Sequence, residues 1–167
     1  MQRAVFVLCL LIWGCGCGRV RENAEVRDAI IRNNANAVRW YAEGNADALA
    51  GMGAADAWQM PPNHAPLVGR EAIREFWRQA LRWGKWEFAF DTQRVDVNGP
   101  LAVERGKYVL RFTAGPDAPH GMVSFEDRGN YLVHWRLEAD GQWRAAADAP
   151  VSELPIPGAA SPANSTP

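Results

Sequence analysis

The hydrophobic period of this chain changes near residue 84, and that switch limits what it can fold into. Upstream, apart from one short strand-like stretch, apolar side chains recur every three to four positions; downstream they alternate with polar ones. A repeat of about 3.6 buries one stripe of a helix, whereas a repeat of about 2 buries one face of a strand. Helices that precede a run of strands make an α+β domain, with the helices packed on one face of an antiparallel meander. At 167 residues the chain has room for one such core and not for two.

In the first half, Val26, Ile30, Ala37, Val38 and Tyr41 share one side of a helix expected over residues 21–43, with Arg27, Asp28, Arg32 and Arg39 on the other. Gly44 ends it, and Asn45 caps a short helix reaching residue 51. Residues 55–60 read as a strand, broken by Pro61-Pro62 and followed by a loop through residue 68. A third helix over residues 69–83 places Ile73, Phe76, Trp77 and Ala80 on one stripe. Strands follow over residues 85–97, 101–113, 123–138 and 142–151, with turns at Asn98-Gly99-Pro100 and Asp140-Gly141. Long strands twist and curl, and a curled sheet closed by helices leaves a cone whose interior is the default ligand site. The expected architecture is a cone-shaped α+β barrel, with about three N-terminal helices on a curved, mainly antiparallel sheet.

The N-terminus reads as an address. Arg3 precedes an apolar run over residues 4–13, about ten residues against the roughly 20 that span a membrane, which fits a secretory signal. Cys9, Cys15 and Cys17 all lie in or just after this segment, so the domain itself has neither a disulfide framework nor a thiolate metal site. Leu11-Ile12-Trp13-Gly14-Cys15 resembles the bacterial lipobox, which implies that Cys15 becomes a lipid-modified N-terminus and that a membrane is a partner through this anchor. An unpaired cysteine directly after such a run is otherwise hard to explain in an oxidising compartment. The expected location is the bacterial cell envelope, with a secreted soluble form as the alternative. The signal occupies residues 1–18, the domain 19–153 and a disordered Pro/Ala/Ser-rich tail 154–167. A formal net charge of −1 gives no footprint for nucleic acid.

Several stretches carry a family resemblance. Tyr41-Ala42-Glu43-Gly44-Asn45-Ala46-Asp47-Ala48-Leu49, Ala55-Asp56-Ala57 running into Pro61-Pro62, and Val68-Gly69-Arg70-Glu71-Ala72-Ile73 with Phe76-Trp77 resemble the SnoaL-like branch of the nuclear transport factor 2-like superfamily. Ala102-Val103-Glu104-Arg105-Gly106-Lys107-Tyr108, Arg128-Gly129-Asn130-Tyr131-Leu132-Val133-His134-Trp135 and Gly141-Gln142-Trp143-Arg144 fit the same branch, so the resemblance runs from about residue 24 to 153. It implies the cone-shaped fold and no single activity, because the scaffold hosts isomerases, dehydratases, cyclases, hydrolases and non-catalytic binding or dimerisation modules. Ketosteroid isomerases of this superfamily use a carboxylate base with an oxyanion hole of a tyrosine and a protonated aspartate. Carried onto this sequence, those positions fall on Pro61, Ala37 and Val133, which cannot abstract or donate a proton.

The resemblance and strand parity together imply a cone lined by Asn33, Ala37 and Tyr41, by Gln59 and Pro61, by Phe76, and by Trp86, Tyr131, Val133, Trp135 and Asp148 from the sheet. Apolar alternation alone would turn Trp58 and Met60 inward in place of Gln59 and Pro61. Asp148, among the small residues of Ala145-Ala146-Ala147-Asp148-Ala149-Pro150, is the candidate catalytic acid or base, since a carboxyl in an apolar cone has a raised pKa. The alternative for it is an ion pair with an arginine such as Arg105, or a backbone bond at the strand end. His64, in a proline-flanked loop, is placed at the pocket mouth, and His64, His120 and His134 are too dispersed for a metal site. No cofactor is implied.

Eight tryptophans exceed the usual share of roughly 1–1.5%. Trp77, Trp83 and Trp143 are expected to pack helices on the sheet, and tryptophan on the convex face would suit a homodimer. The leading functional expectation is an envelope domain that binds a small, mostly apolar molecule. Its alternatives are an isomerase, dehydratase or cyclase using Asp148 with Tyr131 or His64 assisting, and a dimerising scaffold with a filled cone.

Overall fold

The computed structural model describes residues 15–62 and 64–154, with side chains from Asn23 onward. The apolar run at residues 4–13 and the tail from residue 155 lie outside them. Helix α1 (Cys15–Glu43) starts before the expected residue 21, over a stretch that carries no apolar stripe for periodicity to mark. Its buried face, Val26, Ile30, Ala37 and Tyr41, runs along the sheet. Gly44 adopts φ +69°, a left-handed conformation that suits glycine, and ends the helix. The Asn45 side chain then accepts the Ala48 N–H at 3.0 Å to start α2 (Ala46–Gly51).

The remaining elements are β1 (Gly53–Gln59), β2 (Leu67–Val68), α3 (Arg70–Ala80), β3 (Gly84–Asn98), β4 (Leu101–Ala114), β5 (Phe125–Leu137) and β6 (Trp143–Ser152). Strand β2 falls where a loop was expected; its two residues pair with Trp58 and Gln59 of β1. The sheet order is β2-β1-β6-β5-β4-β3, antiparallel throughout except for the parallel pair β1 and β6. β2 and β3 are therefore free edges, and the sheet is curled rather than closed into a barrel. Register shifts between Thr92 and Arg94 and between His134 and Trp135 are bulges that add local bend and twist to long strands.

The core lies between the concave face and the helices. From α3 it takes Ile73, Trp77 and Ala80, spaced four and three apart on one stripe. From β4 it takes Ala102, Tyr108, Leu110 and Phe112, while Val103 and Val109 face outward. Burying large side chains such as Trp135 and Phe112, both 1% exposed, contributes about 1.5–3 kcal/mol each. α1 crosses this core from Asn33, whose amide donates to the Trp143 carbonyl at 3.2 Å, to Tyr41, whose ring lies 4.1 Å from that of Phe88.

Candidate functional site

Strand register decides which side chains of β1 and β6 meet in the core. Gln59 pairs with Asp148 across β1 and β6, and Val133 pairs with Asp148 across β5 and β6. Cross-strand partners share a face, so Gln59, Asp148 and Val133 point into the cone and the neighbouring Trp58 points out, 48% exposed. Between Trp58 and Gln59, it is the polar residue that faces inward.

Two helices complete this group. The Trp77 indole of α3 donates to Gln59 Oε1 at 2.9 Å, and Gln59 Nε2 donates to Asp148 Oδ2 at 3.3 Å. The Tyr41 hydroxyl of α1 lies beside both Gln59 and Asp148. Burial pushes the Asp148 carboxyl up to about 6; the Gln59 N–H draws it back and the charge of Glu104 adds to the rise. The Tyr41 hydroxyl is raised too, by burial first and by Asp148 second. No cation pairs with Asp148 among the described residues, and Arg105, which registers with Leu132, is exposed.

Aromatic rings wall this group. Trp77 meets Tyr41 and Phe76 edge-on, with ring centres 4.8 and 5.2 Å apart. Phe76 and Pro61 are half-buried, and the exposed His64 stands with its ring 5.3 Å from that of Phe76. His64 Nδ1 lies 2.6 Å from the Ala65 carbonyl.

A second carboxylate on the same inner face was not singled out from the sequence. Glu104 is 0% exposed. Its Oε1 accepts from Asn34 Nδ2, Thr92 Oγ1 and the Tyr131 hydroxyl, each at 2.7 Å, and its Oε2 accepts from Trp135 Nε1 at 2.9 Å. Tyr131 reaches it by lying across Gly106, where an added Cβ would come within 2.6 Å of the phenol ring. Strand parity carried the signal, since Glu104 occupies an inward slot between Ala102 and Gly106.

The other expected lining residues divide accordingly. Tyr131 and Trp135 serve Glu104, and Trp86 is buried with its indole donating to the Ala80 carbonyl at 2.7 Å. Ala37 is buried, while Asn33 spends its amide on the Trp143 carbonyl. A cavity of about 230 Å³ opens between α1 and β3, lined in part by Ile31, Val38, Phe90, Asn34 and Thr92, the last two being donors to Glu104.

The family model of the SnoaL-like domain matches residues 25–146, nearly the whole of the helices and sheet. The chain belongs to the SnoaL-like domain family. No curated protein matches it. Among solved structures, this SnoaL-like domain is similar to a protein of unknown function from Mycobacterium tuberculosis, with 19% identity over 85% of this chain and 80% of that one and a TM-score of 0.72. It is similar to a candidate scytalone dehydratase from Novosphingobium aromaticivorans, with 14% identity over 81% and 89% of the two chains and a TM-score of 0.71. A ketosteroid isomerase-like protein from Erwinia carotovora atroseptica gives 18% identity, 80% and 98% coverage and a TM-score of 0.65. Identities this low establish the shared fold alone.

Proposed function

We propose that this SnoaL-like domain binds a small, mostly apolar molecule carrying one hydrogen-bonding group. Asp148 and Tyr41 meet that group, and Phe76, Trp77 and Pro61 meet the apolar body. The observation that carries the reading is Asp148 itself, a half-buried acid on the inner face of the sheet with a neutral amide for a partner. Burying an ionisable group without a counter-charge costs free energy that packing does not return, and such groups cluster where a ligand or reaction uses them. Titration with 2-naphthol, a neutral aromatic with one hydroxyl, tests this by fluorescence. Asp148→Asn should weaken binding about tenfold by replacing a charged acceptor with a neutral one; equal binding by the variant overturns the reading.

The raised carboxyl favours a second reading, proton transfer to or from the bound molecule. A group held at about 6 exchanges its proton near neutral pH, as isomerase or dehydratase chemistry requires. Any such activity should collapse in Asp148→Asn and show an inflection near the titration of Asp148. Ala37, Pro61 and Val133 supply no proton-transfer groups for ketosteroid isomerisation by the usual route.

Envelope anchoring through Cys15 belongs to the same proposal, supported by the lipobox-like stretch that ends on it. Cys15 opens α1, in the part of that helix whose side chains are not described. Cys15→Ser should move the protein from membranes to the soluble fraction; unchanged membrane partitioning overturns the anchor and leaves the secreted form. Val103, Val109 and Leu132, 40–50% exposed on the outer face of β4 and β5, support a homodimer through that face.

A further inference from the structure

We propose that Trp77 and Gln59 are positioning residues: the Trp77 indole sets which way the Gln59 amide faces, and the amide thereby holds Asp148 as a hydrogen-bond acceptor within the cone. This rests on the reading of Asp148 as the ligand-facing group and adds the device that fixes its state.

A primary amide presents an acceptor on one side and two donors on the other, whereas an indole N–H can only donate. The Gln59 atom 2.9 Å from Trp77 Nε1 is therefore the carbonyl oxygen, and the NH2 group must face Asp148 and Tyr41. The Trp77 ring is itself confined, edge-on to Tyr41 at 4.8 Å and to Trp86 at 5.5 Å. Without the indole N–H, the amide is free to turn its oxygen toward Asp148, and a carboxyl can meet that oxygen only by keeping its proton. Trp77 thus determines, through Gln59 and without touching the carboxyl, whether Asp148 faces a donor or an acceptor.

Of the remaining groups around Asp148, Tyr41 shares the Gln59 amide and the others, Val133 and Glu104, do not. β5 contributes Val133 across the register and α3 contributes Trp77. The titratable groups are Tyr41 from α1 and Glu104 from β4, the latter held by its four donors. Glu104 persists in variants of Trp77 and Gln59 and sets the baseline, whereas the Tyr41 hydroxyl shares the Gln59 amide and its ring packs on Trp77, so its response is part of the difference that the amide makes.

The test is a carbon-13 NMR titration of the Asp148 carboxyl in the full chain in detergent micelles, with no ligand added. Trp77→Phe keeps a ring and removes the donor, and should raise the Asp148 midpoint by about one pH unit. Gln59→Leu should raise it similarly. Trp83→Phe is the control, because Trp83 neighbours Phe76 at 6.5 Å and has no bond to Gln59. A midpoint unmoved in Trp77→Phe overturns the role of the indole, and one unmoved in Gln59→Leu overturns the whole proposal. The unmodified protein gives an answer even if a variant does not fold. Its Trp77 indole resonance should titrate at the Asp148 midpoint, and an indole signal flat through that midpoint overturns the coupling. Loss of 2-naphthol binding in Asp148→Asn is read separately, so the ligand site and the positioning device can fail independently.

Discussion

Glu104 and Asp148 are acids on the inner face of one sheet, the first fully buried and the second half-buried. Glu104 receives four hydrogen bonds from α1, β3 and β5, and Asp148 receives one, from an amide. Asn34 and Thr92 bring α1 and β3 to Glu104, so that carboxylate joins three elements around one acceptor pair. Asp148 joins nothing of comparable extent. A buried carboxyl with all its neighbours committed to it is part of the framework, while one left with a single neutral donor retains capacity for a ligand.

Glu104→Ala should cost the most, about 3–5 kcal/mol in urea unfolding, because four donors lose their acceptor at once. A loss below about 1 kcal/mol would place Glu104 in the same class as Asp148 and break the contrast.

Asp148→Asn should act in the opposite direction. Burial raises the folded carboxyl from 3.8 to about 6, so folding favours its protonated form. That contribution is fully present below about pH 4 and is lost as pH rises through about 6. At pH 7 the variant should be more stable than the natural protein by about 2 kcal/mol, and at pH 4 the advantage should vanish. Paired unfolding curves at the two pH values check this, and a variant less stable at pH 7 would mean that Asp148 is held by contacts like those of Glu104.

Tyr131→Phe is the smallest change. It removes one of three donors on Glu104 Oε1 and should cost about 1 kcal/mol, read as a modest drop in the unfolding midpoint. A much larger loss would show that the donors act as one cooperative network and not as separate bonds.

Much of the fold was legible because it rests on local periodicity. The order of three helices and four long strands, the Gly44 stop and the Asn45 cap each follow from patterns within a few residues. Strand β2 was not legible, since two residues carry no alternation and pair only because β1 offers an edge. The curl expected from long strands is present, and with free edges at β2 and β3 it is the helices that cover the concave face.

The candidate site divides along the same line. Asp148 could be singled out because an acid stands among alanines on one strand. For Glu104 the sequence carries only its inward parity, because the partners that make it distinctive lie 70, 12, 27 and 31 positions away in the chain.

By itself the sequence determined the class of fold, the sequence of elements and the presence of an acid on the last strand. These depend on side-chain period and chain-local capping, which neighbouring residues set among themselves. Only the tertiary structure decided that Gln59 faces inward rather than Trp58, that Glu104 is sealed, and that Asp148 keeps a neutral partner. Each of those depends on register between strands distant in the chain, and a shift of one residue in register exchanges the two faces of a strand.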